Sequence, residues 1–168
     1  VHLNSGKAYA DGMEAFRNCY YDETNQSDCN YKVLFDMALD AAVRAMTKSY
    51  GDFEPNEKGQ NKTWERILGA LCYYYTVWHP EQDILRPTIL DGAVATEFSF
   101  AEPLHNEVCL HPETGEPLLY SGRFDALMEM RSKANLFGYD DKTTAQLGAT
   151  WADSWQLQSQ FMGYAWGA

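Results

Sequence analysis

The 168-residue sequence predicts one layered domain of the α/β (α+β) class, with a helical part over residues 1–87 and a central sheet with a closing helix over 88–168. Three observations lead there. Apolar residues recur at helical spacing as far as about Trp78, from about Thr88 the recurrence shortens to every second residue, and from Ala145 onward a helical pattern rich in Trp and Gln returns. The length suits one domain.

The elements follow in order. Residues Ser5 to Arg17 read as a helix that buries Ala8, Met13, Ala15 and Phe16, and Asn18 to Asn30 reads as a polar loop. Between Tyr31 and Tyr50, the positions Leu34, Phe35, Ala38, Leu39, Ala42, Val43 and Met46 form one apolar stripe, and Gly51 stops the helix. A polar loop runs to Lys62, and Thr63 caps a helix reaching about Trp78, ahead of His79-Pro80. Thr88 to Phe100 favours extended backbone, with Val94, Thr96, Phe98 and Phe100 alternating against Ala95, Glu97 and Ser99. His111 to Pro117 is a turn, Leu118 to Met130 a strand, Arg131 to Asn135 a turn, and Leu136 to Lys142 a third strand.

Composition narrows the function classes. No apolar run approaches the ~20 residues of a membrane span, so no membrane partner is expected. Cys19, Cys29, Cys72 and Cys109 include no C-x-x-C pair, so a zinc or iron–sulfur site lacks its usual spacing. Free thiols in a reducing, cytoplasmic compartment are the expectation, with a Cys19–Cys29 disulfide as the alternative. The four histidines show no ligand spacing. The net charge is −11, and residues 91–168 carry 4 basic against 11 acidic side chains. Direct phosphate neutralisation would call for a basic surface. Carboxylates that hold divalent cations offer another route to phosphate.

Glu97, Asp125, Asp140, Asp141 and Lys142 stand where strands are expected to be half buried. A carboxylate there is costly unless paired or bound to a cation. Consecutive strands bring Asp125 beside Asp140, and two adjacent carboxylates repel unless a cation separates them. Oxygen ligands suit Mg²⁺ or Mn²⁺. Lys142, two residues beyond Asp140, points to the same strand face and can meet an attacking water or developing charge on phosphate. The bland readings are a solvent-facing Glu97, Asp125 paired with Arg123, and a solvated strand end at 140–142.

The segments Gly122-Arg-Phe-Asp125, Asp140-Asp-Lys-Thr143 and Gln160-Phe-Met-Gly-Tyr164, in this order, resemble the RecB-like and phage-exonuclease branch of the PD-(D/E)XK, or restriction-endonuclease-like, superfamily. The likeness covers residues 97–164, with Glu97 similar to the family's upstream acid. It implies a central mixed sheet flanked by helices and a metal-dependent deoxyribonuclease acting in recombination, repair or phage DNA processing. Asp125, Asp140 and Lys142 would be catalytic. The metal ligands would be Glu97, Asp125, Asp140 and the main-chain carbonyl of Asp141. Arg123, Gln160 and Tyr164 would meet substrate. The resemblance further implies Mg²⁺ or Mn²⁺ as cofactor, DNA as partner, and a helicase, recombinase, annealing protein or second copy beside it in a bacterial or phage-infected cytoplasm. Lys7, Arg17, Lys58, Lys62 and Arg66 would form part of the DNA groove.

The sequence also departs from the family. The metal-binding His that some members carry in the first helix corresponds to Ala10, and the cysteines of the iron–sulfur branch have no counterpart, so no cluster is expected. The family sheet gains a strand after the Gln-Tyr helix, which implies a domain continuing past Ala168. Two rivals remain: an inactive nuclease-fold module that binds DNA or protein, and a carboxylate-pair acid–base hydrolase. The second leaves Lys142 and Gln160 unexplained.

Overall fold

The computed structural model describes residues 2–28, 30–52, 62–104 and 108–142. Four helices precede six strands: α1 (His2–Tyr20), α2 (Glu23–Asp28), α3 (Tyr31–Tyr50), α4 (Trp64–Val77), β1 (Leu85–Pro87), β2 (Ile89–Leu90), β3 (Ala93–Val94), β4 (Thr96–Pro103), β5 (Leu119–Met130) and β6 (Lys133–Tyr139). The α+β class and the order of helices before strands agree with the sequence reading.

Caps fix the helix starts. Asn30 accepts from the N–H groups of Lys32 and Val33, and Thr63 accepts from Arg66, which satisfies donors that a helix start leaves open. Gly51 closes α3 at φ 58°, and its N–H returns to Thr47. The loop expected over Asn18–Asn30 is instead the last turn of α1 followed by α2, because Asp22 takes the N–H groups of Thr24 and Asn25 and starts a new helix.

The helical core is one cluster. Ala8, Met13 and Phe16 of α1, Ala38, Ala42 and Met46 of α3 and Leu71 of α4 are all fully buried. Each large apolar side chain among them contributes ~1.5–3 kcal/mol by leaving water. A Cβ on Gly12 would lie 2.8 Å from Leu71 Cδ1 and 3.4 Å from the Ala42 carbonyl oxygen, so glycine lets α1 approach its neighbours here. The Phe16 ring stacks on Tyr75 at 3.6 Å between centroids.

Strand β5 is the spine of the sheet. It pairs with β1 through Met128–Met130, with β4 from Leu119 to Ala126, and with β6 through Ala126–Met130. Every pairing among the described strands is antiparallel. A mixed sheet was expected; among the described strands β1, β4 and β6 all run antiparallel to β5, and for β5 and β6 the tight turn between them allows no other arrangement.

Three boundaries differ from expectation. β1 lies within the part expected to be purely helical, since Leu85–Pro87 finds an open edge at Met128–Met130. The single extended run expected over 88–100 is interrupted by a hairpin, β2 against β3, that turns at Asp91 (φ 51°) and Gly92 (φ 78°), the left-handed pair of a two-residue turn. Thr88 N–H and Leu127 N–H close the ladder behind it, donating to Leu127 and Ala95 respectively. Finally, β6 runs over Lys133–Tyr139, earlier than the expected 136–142, because Arg131-Ser132 makes the reversal in two residues. Asp140, Asp141 and Lys142 thus follow the strand. The helix expected from Ala145 lies outside the described residues.

Gly138 sits in β6 against the buried Phe124 ring, and a Cβ there would fall 2.2–2.8 Å from three ring atoms. Gly138→Ala is expected to destabilise the fold by ~1–3 kcal/mol in urea titrations, with part of the loss recovered by Phe124→Leu. Wild-type stability in Gly138→Ala would mean the ring moves aside freely.

Candidate active site

The register of β5 and β6 builds the site. Ala126 faces Tyr139, so the next position outward sets Asp125 beside Asp140. Asp141 N–H donates to Asp125 Oδ2 at 2.6 Å, and the Lys142 ammonium sits on Asp140 Oδ2. The Asp140 side chain is 5% exposed and that of Lys142 27%. The three residues singled out for chemistry therefore meet at the end of one strand pair, with Lys142 on Asp140 although both lie past β6, where the spacing of a strand no longer applies.

Burial raises the Asp125 carboxyl above its ordinary range. The Asp141 N–H acts against this, and the charges of Asp140 and Asp141 reinforce it more than Lys142 relieves it.

Asp141 faces another way. Its carboxylate accepts from Arg17 Nη1 at 2.8 Å, with both side chains at least nine-tenths buried. Burial works against the Arg17 charge, yet Asp141 holds the guanidinium protonated beyond the usual arginine value. The Arg17 guanidinium also lies 5.0 Å over the Tyr139 ring, whose hydroxyl is 3.2 Å from that of Tyr74. Arg17 is 3% exposed, which overturns its expected place in a DNA groove wall. The signal was present in the sequence: Arg17 lies on the same helical stripe as Met13, Phe16 and Tyr20, and a charge on an apolar stripe needs a buried partner.

Glu97 lies between two paired positions, Thr96 with Ala126 and Phe98 with Phe124, which sets it across from Asp125. Its backbone is left-handed, at φ 49°, a conformation costing a non-glycine residue about 1–3 kcal/mol. Its carboxylate bonds Arg123 Nε at 2.6 Å rather than joining Asp125 and Asp140. The two residues expected to act separately, Glu97 on metal and Arg123 on substrate, are thus ion-paired to each other. On α1, Glu14 is raised by burial and by the charges of Glu97 and Asp11, an acidic neighbour to Glu97 that the sequence reading did not single out. Gln160, Tyr164 and the expected groove residue Lys58 lie outside the described residues; Lys7 pairs with Asp11.

Among the described residues, no three His, Cys, Asp or Glu side chains converge as a self-sufficient metal cage. The carboxylates of Asp125 and Asp140 are the donors at hand, and the resemblance would add the Asp141 main-chain carbonyl, a hard oxygen set that suits an ion of the Mg²⁺ type, which keeps several of its own waters. Two clefts of about 550 Å³ occur elsewhere, one beneath Tyr20 and Tyr31 and one between α1 and α3, and neither is lined by Asp125 or Asp140. Cys72 and Cys109 are free thiols. No helix among the described residues is long and apolar enough to cross a membrane.

No family model, no curated protein and no solved structure matches this chain.

The raised Asp125 carboxyl sets a sign for stability. The native chain keeps that proton to higher pH than the unfolded chain, so stability is lost as pH rises from the ordinary carboxylate range through the raised value. Asp125→Asn removes this loss. In chelator at about pH 8 the variant should melt roughly 2–4 °C above wild type, and the gap should close as pH falls to about 4. A variant that melts lower at the higher pH would show that the Asp141 N–H contact outweighs the repulsion.

Proposed function

We propose that this chain is a Mg²⁺- or Mn²⁺-dependent deoxyribonuclease of the PD-(D/E)XK type, RecB-like, cleaving phosphodiester bonds. One observation supports the reading most: Asp125, Asp140 and Lys142, selected from strand context and motif order, gather at the end of one strand pair around the 2.6 Å Asp141–Asp125 hydrogen bond. The strained backbone of Glu97 across from Asp125 adds support, since such strain collects at functional positions.

Asp125 and Asp140 would hold the metal through their carboxylates, with the Asp141 carbonyl alongside. When bound, the ion supplies charge neutralisation at phosphate and a more acidic water. The chain's own residues supply the geometry. Asp141 N–H fixes one oxygen of Asp125 and leaves the other for the ion. Lys142, now on Asp140, is placed to orient a water or to meet charge developing on a phosphate oxygen. Arg123, with its side chain 64% exposed, is the cation best placed to contact a phosphate once it parts from Glu97. Gln160 and Tyr164 are assigned to substrate by the resemblance alone.

The acidic balance favours a second reading, an inactive module of the same fold that binds a protein or a DNA end. Degradation of labelled linear DNA with Mn²⁺ separates the two. Asp125→Ala, Asp140→Ala and Lys142→Ala are each expected to lower the cleavage rate by at least ~10²-fold with circular dichroism unchanged. Full activity in Asp125→Ala would overturn the mechanism.

Substrate affinity carries its own expectation. With 4 basic side chains after residue 90, the cation has to contribute to DNA binding. Binding measured with Ca²⁺ should be far tighter than in chelator, and its salt dependence shallow, because few Lys or Arg side chains displace counterions. Tight binding in chelator with a steep salt slope would place the DNA on another surface.

A further inference from the structure

We infer that Arg17 is a positioning residue for this site, acting through Asp141 to lock the Asp-x-Lys segment in the geometry that binds metal; the inference rests on the nuclease reading. The chain of contacts is short. Arg17 Nη1 holds the Asp141 carboxylate at 2.8 Å, and Asp141 N–H holds Asp125 Oδ2 at 2.6 Å. Asp140 and Lys142 flank Asp141 on either side, so whatever orients Asp141 orients all three main-chain units.

The segment needs such a device because β6 ends at Tyr139. Residues 140–142 have no described ladder hydrogen bonds of their own, and a segment past a strand end is ordinarily mobile on the ns–μs scale. Arg17 supplies the missing constraint from α1, 124 positions earlier in the chain. It is held in turn on two sides. The helical core fixes α1 through Met13 and Phe16, both fully buried, and the Tyr139 ring lies under the guanidinium with Tyr74 against its hydroxyl. Lysine has the charge but lacks the planar fork that fits a carboxylate and stacks on an aromatic ring.

Arg17 is only 3% exposed, so it is distinct from the residues that would meet DNA. Its effect belongs on metal affinity and turnover rather than on DNA affinity. Partners that orient metal ligands are typically worth 10–100-fold in affinity or activity.

The test must separate positioning from simple folding. Arg17→Met alone leaves Asp141 charged and buried, and will destabilise the chain. The double variant Arg17→Met, Asp141→Leu removes both charges and is expected to fold, as judged by circular dichroism and urea titration. Mn²⁺ affinity by calorimetry, hydrogen exchange at the residue-141 amide, and the split between kcat and KM on linear DNA are then measured. Positioning predicts Mn²⁺ binding weakened by roughly 10–100-fold, a lower kcat, an unchanged KM for DNA at saturating metal, and a residue-141 amide that exchanges faster. Asp141→Asn, which keeps a side-chain acceptor for Arg17, should retain most of the metal affinity. A folded double variant with wild-type Mn²⁺ affinity and kcat would reduce Arg17 to a structural role and overturn the inference while the nuclease reading stands. Wild-type chain that neither binds Mn²⁺ nor cuts DNA would overturn both.

Discussion

A buried ion pair ties the two halves of this protein together. Arg17 and Asp141 meet at 2.8 Å with side chains 4% and 7% exposed, and they join the middle of the first helix to the segment that follows the last described strand. Two charges taken out of water are expensive, and their mutual attraction repays the cost only where geometry and further hydrogen bonds are good. Here Arg17 Nη1 bonds Asp141, the Tyr139 ring lies under the guanidinium, and Nη2 is buried without a hydrogen-bond partner among the described residues. Burial and the nearby Asp141 carboxylate hold the hydroxyls of Tyr9 and Tyr139 well above the usual phenol range, and the Tyr139 hydroxyl meets that of Tyr74. Losing one partner would strand the other charge in the core.

The sheet is organised around a single long strand. β5 borders β1 and β4 along one side and β6 along the other, and the short β2–β3 hairpin fills the gap where the chain passes from β1 to β4. Arg131, in the turn between β5 and β6, donates to the Pro80 carbonyl at 2.6 Å and ties that turn to the end of the helical part. The opposite end of the β5–β6 pair, with no such tie to a turn, is where Asp125 and Asp140 gather. One end of the spine is therefore anchored by main-chain contacts, and the other by the Arg17–Asp141 pair.

That second end concentrates negative charge. Asp125 is raised by burial and by Asp140 and Asp141, and across the sheet Glu14 is raised by burial, Glu97 and Asp11. Lys142 on Asp140 and Arg123 on Glu97 offset part of it. A divalent cation between Asp125 and Asp140 would remove the repulsion that remains, and would let so acidic a surface approach phosphate. The electrostatics that raise Asp125 would thus also favour a cation placed there.

The sequence by itself determined the three long helices, the change to strands after them and the β5–β6 pair, but not α2, β1 or the β2–β3 hairpin. The apolar stripe of α3, buried at Leu34, Ala38, Ala42 and Met46, was legible because helical periodicity is local, and so were the caps at Thr63 and Gly51. The strand-to-strand adjacency of Asp125 and Asp140 was legible too, because two consecutive strands with a tight turn have almost no choice but to pair. The Asp91-Gly92 hairpin carried a readable two-residue signal that the longer alternating pattern around it obscured. Only the tertiary structure decided the rest. It paired Glu97 with Arg123, gave β1 an edge on β5, and turned Arg17 from a groove cation into the buried partner of Asp141. Those outcomes depend on which residues far apart in the chain come within reach of one another. Local spacing records that a charge sits on an apolar face and so needs a partner, but the identity of the partner is set by how the helix lies against the sheet.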